Sequence, residues 1–242
     1  MLNVMSDSAG YSSTGYDPSD FPPFAVTVDI VILTVRGSQL EVLLVQRDAE
    51  PFAGCWALPG GFVAPDQDLL DAAAFKLGDK TGIEIDRSHL EQLATFGAPD
   101  RDPRMRIVSV SHLALVPMPS AVESVGQRTA WVSVDVLGGM QLAFDHPEII
   151  RVGVERARSK LEYTTLATAF CEPDFTIAEL RQVYETVWGE SLDPPNFHRK
   201  VLATAGFVEE TGGSRAQAKG RPAKLYRAGE AMQLSPPLQR SS

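Results

Sequence analysis

The feature that most constrains this chain is the stretch Trp56–Ile83, in which a glycine-containing loop precedes a helical segment. The loop reads Leu58-Pro-Gly-Gly-Phe-Val63, and the segment after it runs to Gly82. Asp66 is a plausible N-cap for the helix, and Gly82 is expected at the position just after its last turn. The chain is therefore expected to be organised around one loop and the helix that follows it.

This stretch resembles the Nudix box. The family pattern places a glycine, a glutamate, an Arg-Glu pair and a Glu-Glu pair before a closing glycine and aliphatic residue. Gly61 falls on the first glycine, and Leu77, Gly82 and Ile83 fall on the closing aliphatic and glycine positions. The frame of the box is thus present at the family's spacing.

The side chains that give the box its chemistry are absent. Gln67 occupies the first glutamate position, Phe75 the arginine position and Lys76 the next glutamate, while Asp79 and Lys80 replace the last two glutamates. In the family these carboxylates hold Mg²⁺ or Mn²⁺ against a diphosphate, and such a site needs one or two carboxylates. Two lysines spaced four residues apart share a helical face. The resemblance therefore implies a site that binds a ligand without cleaving it, with no catalytic residue and no metal.

Composition bounds the remaining possibilities. The 242 residues are 44% hydrophobic and 22% charged, which suits a globular protein of one or two domains. The sequence contains no apolar run near the ~18 residues of a membrane span, and Met1–Ser8 lacks the pattern of a secretory signal. Cys55 and Cys171 are expected to be reduced thiols. We expect a cytoplasmic protein without membrane contact.

The charge is unevenly distributed. A net charge of −9 by itself argues against nucleic-acid binding. However, Asn196–Arg227 contains 7 basic residues against only Glu209 and Glu210. A local basic surface on an acidic protein is compatible with DNA binding, because the phosphates respond to the nearest face.

Strand patterns precede and follow the central helix. Residues 1–20 lack periodicity and are expected to form a disordered tail. The predicted strands are Phe24–Thr34, which is apolar enough to be buried on both faces, Leu40–Gln46, Ile107–Val116 and Ala130–Val136, with Ile85–Leu93 leading into a loop. This order predicts an α/β fold in which residues 21–146 form a Nudix-like α/β/α sandwich with a mixed sheet.

A bridging helix is predicted next, over residues 147–171. Asp145 or His146 would cap it and Pro147 would occupy its first position. Its apolar stripe is expected to comprise Ile149, Ile150, Val154, Ala157 and Leu161. We expect this segment to link the first domain to a second.

Residues 172–230 predict a winged helix-turn-helix, followed by a tail over 231–242. Thr176-Ile-Ala-Glu179 is a capping box, and Gly189 should end the first helix. Asp193 should cap a second helix ending at Gly206. Its inward residues are expected to be Phe197, Val201 and Ala205. Two strands, Phe207–Glu210 and Lys224–Arg227, should form a wing with a basic tip.

The whole chain resembles the Nudix-related transcriptional regulators of NAD metabolism. The markers are Leu58–Val63, Arg101–Arg104, Ala143–His146, Phe175–Leu180, Asn196–Lys200 and Gly220–Tyr226. The resemblance implies a homodimeric repressor of NAD synthesis or salvage genes. Such a repressor binds a double-stranded DNA operator and senses ADP-ribose or a related nucleotide as effector, with no other cofactor.

Ligand-binding candidates surround the box. Arg47, Arg104 and Arg106 could bind a diphosphate bidentately, or could pair with Asp100 and Asp102. The aromatic candidates, Phe52 and Trp56, could stack on adenine or belong to the core. The box itself contributes Gly61, Lys76 and Asp79, for which a solvated helix face is the alternative. His112, inside a strand, is expected to be a hydrogen-bonded core residue.

DNA-binding candidates lie on the second helix and the wing. They are Asn196, His198, Arg199, Lys200, Arg221 and Lys224, and His198 stands where the family commonly has arginine. Two alternatives stay open for the whole protein. One is an active Nudix hydrolase of ADP-ribose or another nucleoside diphosphate derivative, and the other is a sugar-responsive regulator of the same architecture.

Overall fold

The computed structural model describes residues 20–83, 90–117, 128–216 and 222–240. The strands are β1 (Ala25–Arg36), β2 (Gln39–Gln46), β3 (Trp56–Ala57), β4 (Gly60–Phe62), β5 (Leu90–Phe96), β6 (Ile107–Leu115), β7 (Thr129–Ser133), β8 (Val208–Arg215) and β9 (Ala223–Ala228). The helices are α1 (Leu69–Thr81), α2 (His146–Tyr163), α3 (Ile177–Trp188) and α4 (Pro194–Ala203). Among the described residues, no helix has the length and apolar character to cross a membrane. The tail predicted over residues 1–20 lies almost entirely outside these ranges.

The first seven strands form one mixed sheet around β1. β1 pairs antiparallel with β2 and β4 and parallel with β6. Val28 and Ile30–Leu33 have no exposed surface, as expected for a β-branched strand covered on both faces. α1 covers one face of the sheet and α2 covers the other. The predicted α/β/α sandwich with a mixed sheet is therefore confirmed.

The N-cap of the central helix lies two residues later than predicted. Asp68, not Asp66, is the N-cap of α1, and its carboxylate accepts a hydrogen bond from the Leu70 N–H at 3.0 Å. Gln67 N–H donates to the Ala64 carbonyl, so the chain is still turning at Asp66. Gly82 ends the helix at φ 69°, a left-handed conformation that glycine adopts without strain.

Several strand boundaries differ from the sequence prediction. β7 ends at Ser133, because the Ser133 side chain accepts from the Asp135 N–H and starts a 3₁₀ helix over Val134–Gly139. β5 begins at Leu90, and residues 84–89 lie outside the described ranges. The short strands β3 and β4, on either side of Leu58-Pro59, were not predicted.

His112 lies in β6 and is buried, as predicted, but it is not fully hydrogen-bonded. Its Nδ1 has no hydrogen-bond partner within the described residues. Burial lowers the pKa of His112, although a backbone hydrogen bond with Val110 opposes that shift. The ring is therefore neutral near physiological pH. The prediction that His112 is a hydrogen-bonded core residue was therefore wrong for its Nδ1 atom.

The bridging helix α2 begins where predicted. Asp145 is its N-cap residue and Pro147 follows in the first turn, but the Asp145 carboxylate makes no cap hydrogen bond. The whole predicted apolar stripe is buried: Ile149, Ile150, Val154, Ala157 and Leu161. Gly153 lets α2 approach the sheet, since a Cβ there would lie 2.8 Å from the Val31 side chain. α2 ends at Tyr163, and a 3₁₀ helix over Thr165–Phe170 completes the segment.

The winged helix-turn-helix is confirmed. Thr176 and Glu179 form a reciprocal capping box, and Gly189 ends α3 at φ 74°. Asp193 caps α4 by accepting from the Asn196 N–H at 2.9 Å. The described wing strands, β8 and β9, are longer than predicted.

The end of α4 differs from the prediction. The helix ends at Ala203 rather than Gly206, because the Thr204 hydroxyl donates to the Lys200 carbonyl at 2.9 Å and Thr204 takes an extended conformation. Ala205 then lies beyond the helix and is exposed, while Thr204 is buried. The expectation that Ala205 faces inward was wrong.

The two domains share one continuous apolar core. Sheet residues such as Leu33 and Val42 belong to the same buried cluster as Val183 and Phe197 of α3 and α4. The Gln182 side chain also donates to the Gly37 carbonyl at 3.0 Å, which ties α3 to the β1–β2 turn.

The C-terminal residues pack against α2. Within the segment assigned from sequence as a tail, Leu234 and Leu238 are buried. Their N–H groups donate to the Tyr163 and Glu162 carbonyls, each at 2.9 Å. Arg240 pairs with Glu155 and Glu162 on the same helix. These residues are part of the domain interface.

Candidate functional site

A cavity of about 330 Å³ opens where the sheet meets α1 and the start of α2. This volume is near the lower end of the ~300–1,000 Å³ typical of ligand pockets. Its charged and aromatic lining comprises Arg47, Lys76, Lys80, Arg101 and Arg104, then Asp29, Asp48 and Asp102, then Phe62, Phe144 and His146. Five cationic side chains against three carboxylates make the cavity suited to an anion.

Four of the ligand-binding candidates line this cavity: Arg47, Gly61, Lys76 and Arg104. They come from the end of β2, from β4, from α1 and from the loop before β6. The sequence prediction thus brought together residues from four separate elements.

The aromatic candidates lie beside the cavity rather than in its wall. The Phe52 ring packs edge-on against Phe144, with centroids 4.8 Å apart. Trp56 packs against the apolar core, and the Arg128 guanidinium lies 5.6 Å from its ring centroid. The phenylalanines that line the cavity are Phe62 and Phe144, and neither was predicted from the sequence as a ligand-binding residue.

Asp79 and Arg106 also point away from the cavity. Asp79 is exposed and its carboxylate lies 3.6 Å from the Lys80 ammonium. Arg106 donates to the Ala98 carbonyl at 3.0 Å, and its guanidinium lies 5.7 Å from the Phe24 ring centroid. The exposed Asp79 corresponds to the predicted alternative of a solvated helix face. Among the described residues, the partners of Arg106 are a carbonyl and an aromatic ring, and not Asp100 or Asp102, which the sequence offered as its alternative partners.

An ion-pair network forms the floor of the cavity. Arg101 donates two hydrogen bonds to the Asp145 carboxylate, at 2.8 and 2.6 Å, and lies 3.6 Å from the Asp29 carboxylate. The Arg101 side chain is 3% exposed. The Ser109 hydroxyl donates at 2.5 Å to the same Asp29 oxygen, Oδ2, that faces Arg101. A buried arginine requires such paired carboxylates to compensate for lost hydration.

His146 completes the floor and is held in one tautomer. The Leu58 N–H donates to its Nδ1 at 2.9 Å, so the ring proton is on Nε2, which lies 3.5 Å from the Asp29 carboxylate. Burial lowers the pKa of His146, against the opposing effect of the Asp29 and Asp145 charges. The sequence analysis did not predict Asp29, Arg101 or His146 as ligand-binding residues. The sequence signals for two of them were the family markers Arg101–Arg104 and Ala143–His146, which contain Arg101 and His146.

Two arginines converge on a strained phenylalanine. Phe144 has φ 53°, which is uncommon for a bulky residue. The Arg47 and Arg104 guanidinium carbons lie 4.8 and 5.6 Å from its ring centroid. Burial, followed by the charge of Arg104, lowers the pKa of Arg47.

The two arginines differ in their polar partners. Arg104 pairs with Asp102 at 2.7 Å, and its side-chain hydrogen bonds to that carboxylate raise the pKa of Arg104. Burial alone would raise the pKa of Asp102, but hydrogen bonds from Arg104 outweigh it and lower that pKa. Arg47 instead donates to the Pro51 and Ala49 carbonyls, at 2.9 and 3.2 Å.

The cavity does not fit the divalent metal that the box implies in enzymes. Within the described ranges, no group of three or more His, Cys, Asp or Glu side chains could hold a metal ion. On α1, the side chains directed at the cavity are Lys76 and Lys80. Ammonium groups cannot act as metal ligands, because they have no lone pair.

A second candidate surface lies on α4. Asn196, His198, Arg199 and Lys200 are exposed, while Phe197 and Val201 pack inward. The Arg199 guanidinium donates to the Asn196 side-chain oxygen at 2.7 Å, so these two side chains are held together. Because the inner face is anchored, a polar and basic face is presented to solvent.

The wing carries paired cations at its base. Lys224 pairs with Glu210 and Arg227 with Glu209, each at 2.8 Å. Arg215 pairs with Glu179 and also donates to the Asp174 carbonyl at 2.9 Å. Arg221, the predicted wing-tip contact, lies outside the described residues.

Comparison with known proteins agrees with both halves of the structure. Residues 23–152 match the family model of the NUDIX domain, and residues 168–228 match that of the NrtR DNA-binding winged helix domain. The chain is 39% identical over 230 residues to the ADPR responsive transcriptional repressor NtrR of Acinetobacter baylyi, covering 93% of this chain and 90% of that protein. It is also 32% identical over 127 residues to an ADP-ribose pyrophosphatase of Methanocaldococcus jannaschii, covering 52% of this chain and 71% of that enzyme.

Solved structures show the same arrangement. The crystal structure of Shewanella oneidensis NrtR complexed with a 27mer DNA matches with a TM-score of 0.73 and 34% identity, covering 84% of this chain and 93% of that chain. The cocrystal structure of the NUDIX domain of Shewanella oneidensis NrtR complexed with ADP ribose matches with a TM-score of 0.53 and 37% identity, covering 59% of this chain and 94% of that chain.

Proposed function

This chain belongs to the NUDIX domain family and carries an NrtR winged helix, and from that premise we propose that it is a transcriptional repressor released from DNA by ADP-ribose or a related nucleotide. The observation that supports this proposal most directly is that the cationic cavity and the exposed basic face of α4 belong to domains that share one continuous apolar core. The Acinetobacter and Shewanella relatives support this reading, because each matches across both domains.

The ligand is proposed to bind in the cavity through its diphosphate. Arg47 and Arg104 are the proposed guanidinium contacts, with Lys76 contributed by α1 and Gly61 by the neighbouring strand. Arginine forks match diphosphate oxygens in geometry and charge. Phe52, Trp56, Asp79 and Arg106, which lie outside the cavity wall, would require side-chain movement to touch a ligand there.

The DNA contact is proposed to be α4 and the wing. Asn196, His198, Arg199 and Lys200 would face a major groove, with Lys224 and Arg221 of the wing near the backbone. The family implies target genes of NAD synthesis or salvage and action as a homodimer on two half-sites. We propose that these hold for this chain in the cytoplasm.

A physical route connects the two sites through α2. His146, the first residue of α2, lines the cavity, and the N-cap residue Asp145 pairs with Arg101, which also lines it. Further along, the Arg158 side chain donates to the Val187 carbonyl at 3.0 Å and the Trp188 indole donates to the Arg158 carbonyl at 3.1 Å. A shift at the start of α2 would therefore be transmitted to α3. Any such coupling must act equally in both directions.

The second candidate function is hydrolysis of an ADP-ribose-like compound, which the match to a pyrophosphatase favours. The box positions oppose it, because Gln67, Lys76 and Lys80 replace carboxylates and Phe75 replaces the arginine. We therefore propose that the NUDIX domain does not catalyse.

Paired titrations test the repressor. Ligand affinity is measured by calorimetry on the free protein and on its complex with DNA from the promoter of its own or a neighbouring gene. We expect ADP-ribose to bind the free protein more tightly and to lower DNA affinity by the same factor. Equal ligand affinity in the two states would refute release by this ligand, even if both interactions were tight.

A further inference from the structure

We propose that Lys76 and Lys80 take the place of the divalent cation, so that the cavity binds a diphosphate directly and needs no metal. The inference rests on the proposed function, because it concerns how the same cavity holds its ligand. It adds the chemical basis of recognition and predicts a solution property, metal-independent binding, that separates this pocket from a metal-dependent one.

The two lysines are oriented toward the cavity by the helix itself. They are spaced one turn apart on α1 and both line the pocket, whereas Phe75 and Asp79 are exposed. Residues four apart on a helix lie on the same face. Both ammonium groups are therefore expected to contact a bound ligand from the same side.

Gly61 provides the space for the first lysine. A Cβ at this position would lie 3.2 Å from the Lys76 Cε and 3.6 Å from its Nζ. The lysine stem therefore packs across the glycine, and its ammonium group is held at the pocket wall rather than extended into solvent. This packing reduces the side-chain entropy that ligand binding would otherwise have to remove.

The lysines are also less neutralised by carboxylates than Arg101 and Arg104 are. Arg101 and Arg104 are paired with Asp145 and Asp102. Within the described ranges Lys76 has no carboxylate partner, and Lys80 has only the exposed Asp79 at 3.6 Å. Positive charge that is not neutralised by a paired carboxylate is therefore supplied by α1, in addition to Arg47, which donates to backbone carbonyls.

The charge balance of the cavity matches a diphosphate. Its lining contains five cationic side chains and three carboxylates, an excess of two positive charges, and its histidine is buried and neutral. A diphosphate diester carries two negative charges. A dication placed beside two ammonium groups would be repelled by both, because the interaction of like charges is strengthened where water is excluded.

The experiment is a calorimetric titration with ADP-ribose in excess EDTA and again in excess Mg²⁺. We expect the two dissociation constants to agree within about twofold, since no metal contributes. Lys76→Met keeps the stem that packs on Gly61 but removes the charge, and Lys80→Gln removes the second charge. Each should weaken binding by roughly tenfold or more, as expected for loss of a charge-assisted hydrogen bond. Lys160→Gln, a lysine on α2 outside the cavity, is the matched control and should bind as wild type.

Inorganic pyrophosphate is titrated in parallel so that the test does not depend on the nucleoside. Metal-free binding that is weakened in Lys76→Met and Lys80→Gln supports the inference with either ligand. A requirement for Mg²⁺, full affinity in both lysine variants, or no binding of either ligand in EDTA would overturn it. The proposed repressor function is judged separately by whether ADP-ribose releases DNA, so the two can fail independently.

Discussion

Arg101 and Asp145 form a two-point ion pair that joins the loop before β6 to the residue at which α2 begins. The interaction connects residues 44 positions apart. It places one end of the interdomain helix in the floor of the ligand cavity. The proposed coupling of ligand and DNA depends on this pair.

Asp145→Asn is therefore expected to weaken both stability and coupling. The change leaves a nearly inaccessible arginine with only the more distant Asp29, so we expect a loss of about 1–3 kcal/mol in the free energy of unfolding. Urea denaturation measures that loss, and DNA titrations with and without ADP-ribose measure the coupling. Glu148→Gln, in the same helical turn but exposed and paired with Arg151, should change neither. Unchanged coupling in a folded Asp145→Asn protein would exclude this route.

Arg199→Ala is expected to reduce discrimination between operator and random DNA. An arginine or asparagine paired to a base edge contributes ~1–3 kcal/mol of discrimination. Asn196 holds the Arg199 guanidinium, so Asn196→Ala should lose part of the same discrimination through disorder of the arginine. Binding titrations on both DNAs measure the effect, with circular dichroism as the control for folding. Full operator affinity in both variants would indicate that α4 is not the reading element.

Lys224→Ala is expected to weaken operator and random DNA alike. A phosphate contact carries no sequence information, and its loss should lower the salt slope of binding by about one. The effect will be moderated because Lys224 also pairs with Glu210. Titrations at two salt concentrations measure it. Loss of operator preference alone would instead assign Lys224 a base contact.

No hydrolysis is expected from the NUDIX domain. When the protein is incubated with ADP-ribose, NADH or a nucleoside triphosphate in the presence of Mg²⁺ or Mn²⁺, the rate of product formation should stay at the background level. The reason is that lysines replace two carboxylates that a metal would need. A metal-dependent kcat near ~1 s⁻¹, within the usual enzyme range, would establish the pyrophosphatase alternative. Chromatographic detection of AMP and ribose phosphate makes the measurement specific.

Stability is expected to fall as the pH drops below about 6.5, the ordinary histidine pKa. Burial lowers the pKa values of His112 and His146, so below that pH the unfolded chain binds protons that the folded protein does not. The free energy of unfolding should then decline by up to about 1.4 kcal/mol per pH unit for each histidine. Urea titrations at a series of pH values measure the slope. His112→Leu removes one of the two groups and should flatten the slope; an unchanged slope would assign the effect to other residues.

The sequence predicted those parts of the structure that depend on near neighbours. The Thr176–Glu179 capping box, the Asp193 cap and the Gly82 terminus each involve residues within one helical turn. The prediction of Asp66 as the N-cap was wrong because Asp68, two residues later, is an equally good cap, and the hydrogen bond from the Gln67 N–H to the Ala64 carbonyl keeps Asp66 within the preceding turn. Local chemistry therefore predicts elements well and predicts their boundaries less well.

The site was predicted only in part, for a different reason. Lys76 and Arg47 belong to the cavity by virtue of the box and of a strand end, both readable in sequence. Asp29, Arg101 and His146 are brought together by β1, a loop and α2. Each is unremarkable in its own segment, and only the parallel pairing of β1 with β6 and the docking of α2 make them neighbours.

The packing of the C-terminal residues has a consequence for purification. Leu238 and Gln239 border a small pocket together with Asn196 and Lys200, so these two residues lie beside the proposed DNA-binding helix α4. A C-terminal affinity tag would place additional peptide close to that helix and would obstruct its approach to DNA. Removal of residues after 230 would uncover apolar surface on α2 and favour aggregation.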